Sequence, residues 1–117
     1  MRVMGQIAER RNPGLIAARQ VNWRGRSGRF YVLLAERMDA FALTTDGLHL
    51  LALGTQVMWV GSARDVIDDP QSRARFRLAL DCADRAYAVS AGEDELSRMT
   101  VVWDLEGAEP VSGLNAA

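Results

Sequence analysis

The stretch FYVLLAERMDAFALTTDGLHLLALGTQVMWVG, residues 30–61, contains four short apolar runs separated by polar or turn-forming residues. The third and fourth runs are bounded by Asp46-Gly47 and Gly54-Thr55, and an Asp-Gly pair can supply the positive-φ positions of a tight hairpin turn. Helices need about ten or more uninterrupted residues, so runs this short are more typical of adjacent antiparallel strands. The runs are residues 30–34, 41–43, 48–53 and 57–61. They predict a β-meander.

One helix is predicted after this stretch, over about residues 70–84. Asp69 is a good N-cap, Pro70 suits the first helical position, and residues 71–84 contain no glycine or further proline. An apolar stripe at i, i+3, i+4 and i+7 is expected to cover the sheet, and it consists of Phe76, Ala79, Leu80 and Ala83. The predicted fold is therefore α+β: an antiparallel β-meander sheet of four to six strands, packed by one main α-helix.

The segments on either side of this core have less regular patterns of apolar residues. Residues 15–23 and 30–36 are expected to form a hairpin with a basic loop, and residues 85–91 to form a later strand. Residues 99–105 favour a strand because they are β-branched and aromatic, with a helix over 93–105 as the alternative. Residues 33–43 are compatible with a helix or with a hairpin. From Gly107 onward the chain has little to bury, which predicts a loose tail over 107–117.

The length and composition predict one domain over residues 1–117, located in the cytoplasm. A chain of 117 residues lies near the commonest domain size. The single cysteine, Cys82, cannot form an internal disulfide. No apolar run is long enough to span a membrane, and residues 1–9 lack the apolar stretch of a secretory signal. No pattern of metal ligands or cofactor-binding residues occurs, so no cofactor is expected.

The charges are unevenly distributed along the chain. All 14 basic residues are arginine, residues 1–29 carry seven of them against Glu9 alone, and residues 65–109 carry eleven acidic residues against five arginines. Such asymmetry can mark an interaction surface, or it can let the two halves of the chain attract each other in the fold. We favour mutual attraction, because balanced surfaces usually mix their charges.

One basic stretch is interleaved with aromatic residues. The combination of arginine and aromatic side chains suits phosphate contact and base stacking on single-stranded nucleic acid. No complete RNA-binding signature accompanies it, and large aromatic residues usually lie in the core, so a basic hairpin loop is the favoured interpretation. The candidate nucleic-acid or anion contacts are Trp23, Arg24, Arg26 and Arg29.

A second candidate site lies around His49 and Arg64. His49 is the only histidine, and alternation along its strand places it on the same face as Leu51. The turn at residues 61–64, between a strand and a helix, could direct backbone N–H groups and the Arg64 guanidinium at an anion. The favoured interpretation is structural for both, with a small enzyme or an anion-binding domain as the alternative.

No pair of residues can be assigned as nucleophile and base or as acid and base, so a non-enzymatic binding or regulatory module acting through protein–protein contact is predicted. Both faces of the predicted sheet are largely apolar, and Leu78 lies off the core stripe of the helix. These features predict a homodimer, with Leu78 as a candidate interface residue. The alternative is a monomer in which residues 1–12 and 93–105 are helical and cover the second face.

Overall fold

The computed structural model of the protein describes residues 19–44, 47–89 and 95–111. Six strands, three α-helices and a short 3-10 turn occur within them. The strands are β1 (Gln20–Arg24), β2 (Phe30–Glu36), β3 (Leu48–Leu53), β4 (Gln56–Gly61), β5 (Arg85–Val89) and β6 (Glu109–Pro110). The helices are α1 (Ala63–Asp68), α2 (Pro70–Cys82) and α3 (Glu95–Glu106), and the 3-10 turn is Met38–Ala40.

The six strands form one antiparallel sheet in the order β4-β3-β5-β2-β1-β6. Every neighbouring pair in this order is antiparallel. The predicted α+β fold, with an antiparallel sheet covered by a helix, is thereby confirmed.

Two tight hairpins provide the local pairings of the sheet. In the β1–β2 hairpin the Gly25 N–H donates to the Arg29 carbonyl, and Gly28 has a φ of 94°. In the β3–β4 hairpin the turn residue Gly54 has a φ of 61°. Positive φ angles of this kind favour glycine, because a side chain would clash with the backbone. The predicted hairpin with a basic loop is confirmed over Gln20–Arg24 and Phe30–Glu36.

The strand order departs from the sequential order of a meander in two places, since β6 pairs with β1 and β5 lies between β2 and β3. Strand β5 inserts between β2 and β3, pairing Leu34 with Ala88 on one side and His49 with Ala88 on the other. The chain between β2 and β3 must therefore pass across β5. Residues 41–43 lie in this connection and form no strand, contrary to the prediction. Phe41 and Leu43 pack against the core, because the connection itself forms a cover on the sheet, whereas Ala42 is exposed.

Helix α2 lies on one face of the sheet, which we call the α2 face. The Asp69 side chain accepts a hydrogen bond from the Gln71 N–H, and Pro70 occupies the first turn, as predicted. Ala79 is fully buried and packs in one cluster with Phe76 and Ala83 against Leu51, Trp59 and Ala86. Leu80 is 43% exposed, so its predicted place in the core stripe is wrong.

Helix α3 covers the opposite face, which we call the α3 face. Val101 and Leu105, spaced four residues apart, are buried against a core that includes Leu33, Leu50 and Tyr87. The predicted strand over 99–105 is wrong, and the alternative helix is correct. Tertiary packing of this apolar stripe outweighs the strand preference of the β-branched residues.

The end of the described chain is more ordered than the sequence suggests. Ala108 is buried, and Glu109–Pro110 pairs with β1. The prediction of a loose tail is therefore wrong for residues 108–110, and residues 112–117 lie outside the described part of the chain. The predicted cover by residues 1–12 also lies outside it.

The length and apolar character of the three described helices bear on whether any of them could cross a membrane. None of them is both long enough and apolar enough to cross a bilayer.

Candidate functional site

The arginines of the basic loop are held by contacts within the chain. Arg24 forms an ion pair with Glu109 of β6. The Arg26 Nε donates to the Trp103 carbonyl at 3.1 Å, and its guanidinium lies 4.8 Å from the centre of the Trp103 ring. A cation over an aromatic face is attracted by the quadrupole of the ring. Both side chains therefore fasten the loop to the C-terminal part of the chain.

The other two residues of the predicted nucleic-acid patch also contribute to the fold. The Arg29 guanidinium lies 5.8 Å from the centre of the Tyr31 ring. Trp23 is only 1% exposed and packs edge-on against Tyr87, with the ring centres 5.6 Å apart. Trp23 thus belongs to the core cluster, and its predicted role as a nucleic-acid contact stays a prediction. Nucleic-acid binding by the arginines stays a prediction.

A buried carboxylate organises the loop between β1 and β2. Asp104 is 2% exposed, and it accepts hydrogen bonds from the Ser27 N–H at 2.6 Å, the Ser27 hydroxyl at 2.7 Å and the Tyr31 hydroxyl at 2.7 Å. The Arg26 N–H also donates to the Asp104 backbone carbonyl at 3.0 Å. Charge-assisted bonds of this kind are stronger than bonds between neutral groups. Asp104 thus joins α3 to the loop.

The ionisation of Asp104 follows from these contacts. Burial by itself would raise the pKa of this carboxyl, but the hydrogen bonds from Ser27 and Tyr31 outweigh burial and hold the pKa below its ordinary value of 3.8. The pKa of Tyr31 is raised above 10.0 by burial and by the hydrogen bond to Asp104. The anionic carboxylate and the neutral phenol are therefore the favoured forms at neutral pH.

Stability is expected to fall in acid through this group. Because the folded-state pKa of Asp104 lies below the unfolded value, its carboxylate stabilises the fold above the ordinary pKa, and this contribution is lost as the pH falls through the folded-state pKa. Urea unfolding at about pH 7 and at about pH 3 measures the change. The stability gap between the natural chain and Asp104→Asn should shrink in acid. A gap of constant size would contradict the expectation.

His49 occupies a buried position on the α2 face. Its Nε2 accepts a hydrogen bond from the Thr44 N–H at 3.2 Å, and Phe41 packs edge-on against the ring. Its Nδ1 lies 3.6 Å from Glu36 Oε1, which is longer than a hydrogen bond. The His49 side chain is only 2% exposed, so a substrate cannot reach the ring. The structural interpretation fits these contacts.

Arg64 is an exposed residue of α1, three positions after Gly61, the register partner of His49. The turn before it is fully satisfied by a capping box, in which the Ser62 hydroxyl accepts from the Asp65 N–H and the Asp65 carboxylate accepts from the Ser62 N–H at 2.8 Å. The Asp65 carboxylate therefore already takes the place that a bound anion would occupy at this turn. Neither His49 nor Arg64 lines any of the three hollows described below.

Leu78 projects from α2 with 58% of its surface exposed, as its position off the core stripe predicts. Its role as an interface residue stays a prediction.

Among the residues that the structure describes, no group of three His, Cys, Asp or Glu side chains could hold a metal ion.

An apolar surface remains on the α2 face beside the part that α2 covers. It consists of alternate side chains of β2, and we call it the β2 ridge: Phe30 (58% exposed), Val32 (52%) and Leu34 (40%). A shallow groove of about 390 Å³ runs beside it, lined by Val32, Leu34, Ala88 and Val89. Large apolar side chains that share one exposed strand face form a contact surface.

A cavity of about 530 Å³ opens on the α3 face, at the end of the sheet away from α3, and we call it the Trp23 cavity. It is formed where the curled sheet brings β1 and β5 towards the β3–β4 turn. The lining includes two aromatic residues and two arginines, but no acidic residue. The lining residues are Arg19, Gln20, Val21, Trp23, Gly54, Thr55, Arg85, Tyr87 and Pro110.

A second hollow lies between α2 and α3, along the edge strand β4. It has a volume of about 250 Å³, and most of its charged groups have partners within the chain. Asp65 and Asp69 cap helices, and Arg75 lies 3.9 Å from Glu106. Only Arg98 adds a further charge to this lining.

Comparison with protein-family models, with curated proteins and with solved structures gives no match for this chain.

Sequence reasoning located the basic loop but missed the residues that give these surfaces their chemistry. Asp104 lies in a segment predicted as a strand, and its partners Ser27 and Tyr31 are more than 70 positions away, so no local pattern links them. Arg19 and Arg85 meet at the Trp23 cavity only because β5 inserts into the sheet. No local pattern in the sequence indicates that these two arginines line one cavity.

Proposed function

We propose that the chain is a non-enzymatic binding module that acts through protein–protein contact and forms a twofold homodimer. The observation that carries the proposal is the β2 ridge, where three large apolar side chains are 40–58% exposed on one face of a single strand. Monomers rarely leave contiguous apolar patches exposed, and a second copy with the same patch covers it with closed symmetry.

The ends of the ridge carry opposite charges, which supports an antiparallel arrangement of two copies. Arg24 pairs in register with Phe30 at one end, and Glu36 follows Leu34 on the same strand face at the other end. A twofold axis through Val32 would bring Arg24 of each copy, which is paired with Glu109 in its own chain, towards Glu36 of the other. Complementary charges of this kind fix the register of an interface.

Two further aspects of the proposal concern location and chemistry. We place the protein in the cytoplasm, where the exposed free thiol of Cys82 would stay reduced. The buried position of His49 and its contacts with Thr44 and Phe41 support a structural role over an acid–base role. Binding by complementary surfaces needs no catalytic pair.

Substitution of Val32 by arginine is expected to dissociate the dimer. Val32 would lie on the twofold axis, so Val32→Arg places two like charges opposite each other in the interface. Its side chain is 52% exposed, and the fold should tolerate the change within about 0.5 kcal/mol. Light scattering at tens of micromolar should give twice the 12.9 kDa of one chain for the natural protein and a single-chain mass for the variant.

Two other arginine variants make this test specific. Ile67→Arg is the matched control, because Ile67 is 71% exposed on α1, away from the ridge, and the dimer should persist. Leu78→Arg tests the residue that the sequence suggests. A concentration-independent single-chain mass for the natural protein would refute the dimer. Dissociation by Leu78→Arg, with Val32→Arg still dimeric, would move the interface from the ridge to α2.

A further inference from the structure

The Trp23 cavity contains a buried donor without a partner. The Trp23 indole N–H has no hydrogen-bond partner among the described residues, although the side chain is 1% exposed. Trp59 offers a comparison within the same chain, because its indole N–H donates to the Ser72 hydroxyl at 3.0 Å. Buried polar groups in folded proteins are almost always paired. Among the described residues His49 Nδ1 is also without a partner, but His49 lines none of the three hollows described above. Trp23 does line a cavity, so an acceptor supplied from outside would complete its bonding.

The aromatic wall of the cavity indicates the shape of that acceptor molecule. Trp23 and Tyr87 pack edge to face at an interplanar angle of 65°, and Val21 and Pro110 add apolar surface beside them. Ligand sites commonly combine apolar and aromatic walls with a small number of polar groups that fix orientation. A planar or otherwise apolar body fits such a wall.

The charge at the mouth indicates the sign of the ligand. Arg19 and Arg85 both line the cavity and are exposed, and no acidic side chain is part of the lining. Arg85 lies 3.9 Å from Asp84, whose carboxylate also accepts the Gly54 N–H at 2.9 Å. Asp84 is therefore shared between Arg85 and the hairpin turn. Arg19 and Arg85 also border an adjoining hollow whose lining includes Glu36, Asp39 and Asp84. In the lining of the Trp23 cavity itself the charged residues are the two arginines, which favours a carboxylate bound by charge-assisted hydrogen bonds.

We infer that the Trp23 cavity binds a small organic carboxylate with an aromatic or apolar body. The carboxylate lies between Arg19 and Arg85, the body packs on Trp23 and Tyr87, and a ligand oxygen accepts the indole N–H. The site lies on the opposite face of the sheet from the β2 ridge. Its occupancy therefore does not depend on the dimer.

Titration of the full chain with 2-naphthoate, followed by ¹H–¹⁵N NMR, tests the inference. The three indole N–H signals are assigned with Trp59→Phe and Trp103→Phe. The Trp23 signal should shift and saturate, while the Trp59 signal stays in place because its N–H is already bonded to Ser72.

The arginine variants test the preference for an anion. Arg19→Gln with Arg85→Gln should weaken 2-naphthoate binding about tenfold, because two charge-assisted contacts are lost. Binding of the neutral 2-naphthalenemethanol should change little. Arg77→Gln, on the exposed surface of α2, is the matched control and should leave both affinities unchanged.

Three results would overturn the inference. The first is the absence of a saturable Trp23 shift at millimolar 2-naphthoate. The second is an unchanged affinity in the double arginine variant. The third is a nuclear Overhauser contact, in the ligand-free protein, from the Trp23 indole proton to residues 1–18, which would show that the chain fills the cavity itself.

Discussion

Replacing Asp104 with alanine is expected to lower the free energy of unfolding by about 3 kcal/mol, a loss of roughly 10–15 °C in Tm. The carboxylate is 2% exposed and accepts three hydrogen bonds, from the Ser27 N–H, the Ser27 hydroxyl and the Tyr31 hydroxyl. Truncation leaves these donors facing a void at the junction of α3 and the β1–β2 loop. Urea unfolding at neutral pH measures the loss.

An exposed aspartate on a helix provides the matched control. Asp81 lies on the outer surface of α2, so Asp81→Ala should stay within about 0.5 kcal/mol of the natural chain. If the two variants were equally stable, the hydrogen bonds to Asp104 would contribute nothing net to the fold. The role of Asp104 as the link between α3 and the loop would then be wrong.

Gly25→Ala is expected to destabilise the fold by about 2 kcal/mol, because the added methyl group disturbs the same carboxylate. A Cβ at position 25 would lie 2.5 Å from Asp104 Oδ1, 2.6 Å from its Cγ and 2.7 Å from its Oδ2. The carboxylate cannot move aside without breaking its bonds to Ser27 and Tyr31. The requirement for glycine is thus one of space, since this glycine does not have a positive φ.

The double variant makes the argument specific. In the Asp104→Ala background the space is open, so the second change at Gly25 should cost little, and the two effects should couple by about 1–2 kcal/mol. Urea unfolding of the two single variants and the double variant completes the cycle. Additive losses would show that the methyl group acts on the loop backbone and not on Asp104.

The elements governed by local patterns could be predicted from the sequence. Asp69 and Pro70 determine where α2 begins, and the glycines of residues 25–28 close the hairpin between β1 and β2. Each of these features depends on residues within a few positions of one another, so the physical cause is visible in a short window.

The features set by distant contacts could not be predicted. Nothing in residues 85–89 indicates that they lie between β2 and β3, because the choice of neighbours depends on how the connection at 41–43 folds over them. Val101 and Val102 favour a strand locally but form a helix whose apolar stripe fits the sheet. The packing of the whole chain decides both cases.

The candidate sites divide in the same way. The arginines at positions 24, 26 and 29 are exposed residues of a basic loop, as the sequence suggests, but their partners on α3, β2 and β6 were not apparent. Trp23 was chosen for its ring and its basic neighbours. It instead lines a cavity whose arginines lie just before β1 and at the start of β5.

The insertion of β5 between the two hairpins also affects how the chain can assemble. The β1–β2 and β3–β4 pairings are local and can form early, whereas β5 joins β2 to β3 only through long-range contacts. Until residues 85–89 leave the ribosome, the inner edges of β2 and β3 lack the strand that joins them. Unpaired edges are templates for pairing with other chains, so the nascent protein is most vulnerable to aggregation in this interval. This interval ends when the five residues of β5 pair with β2 and β3.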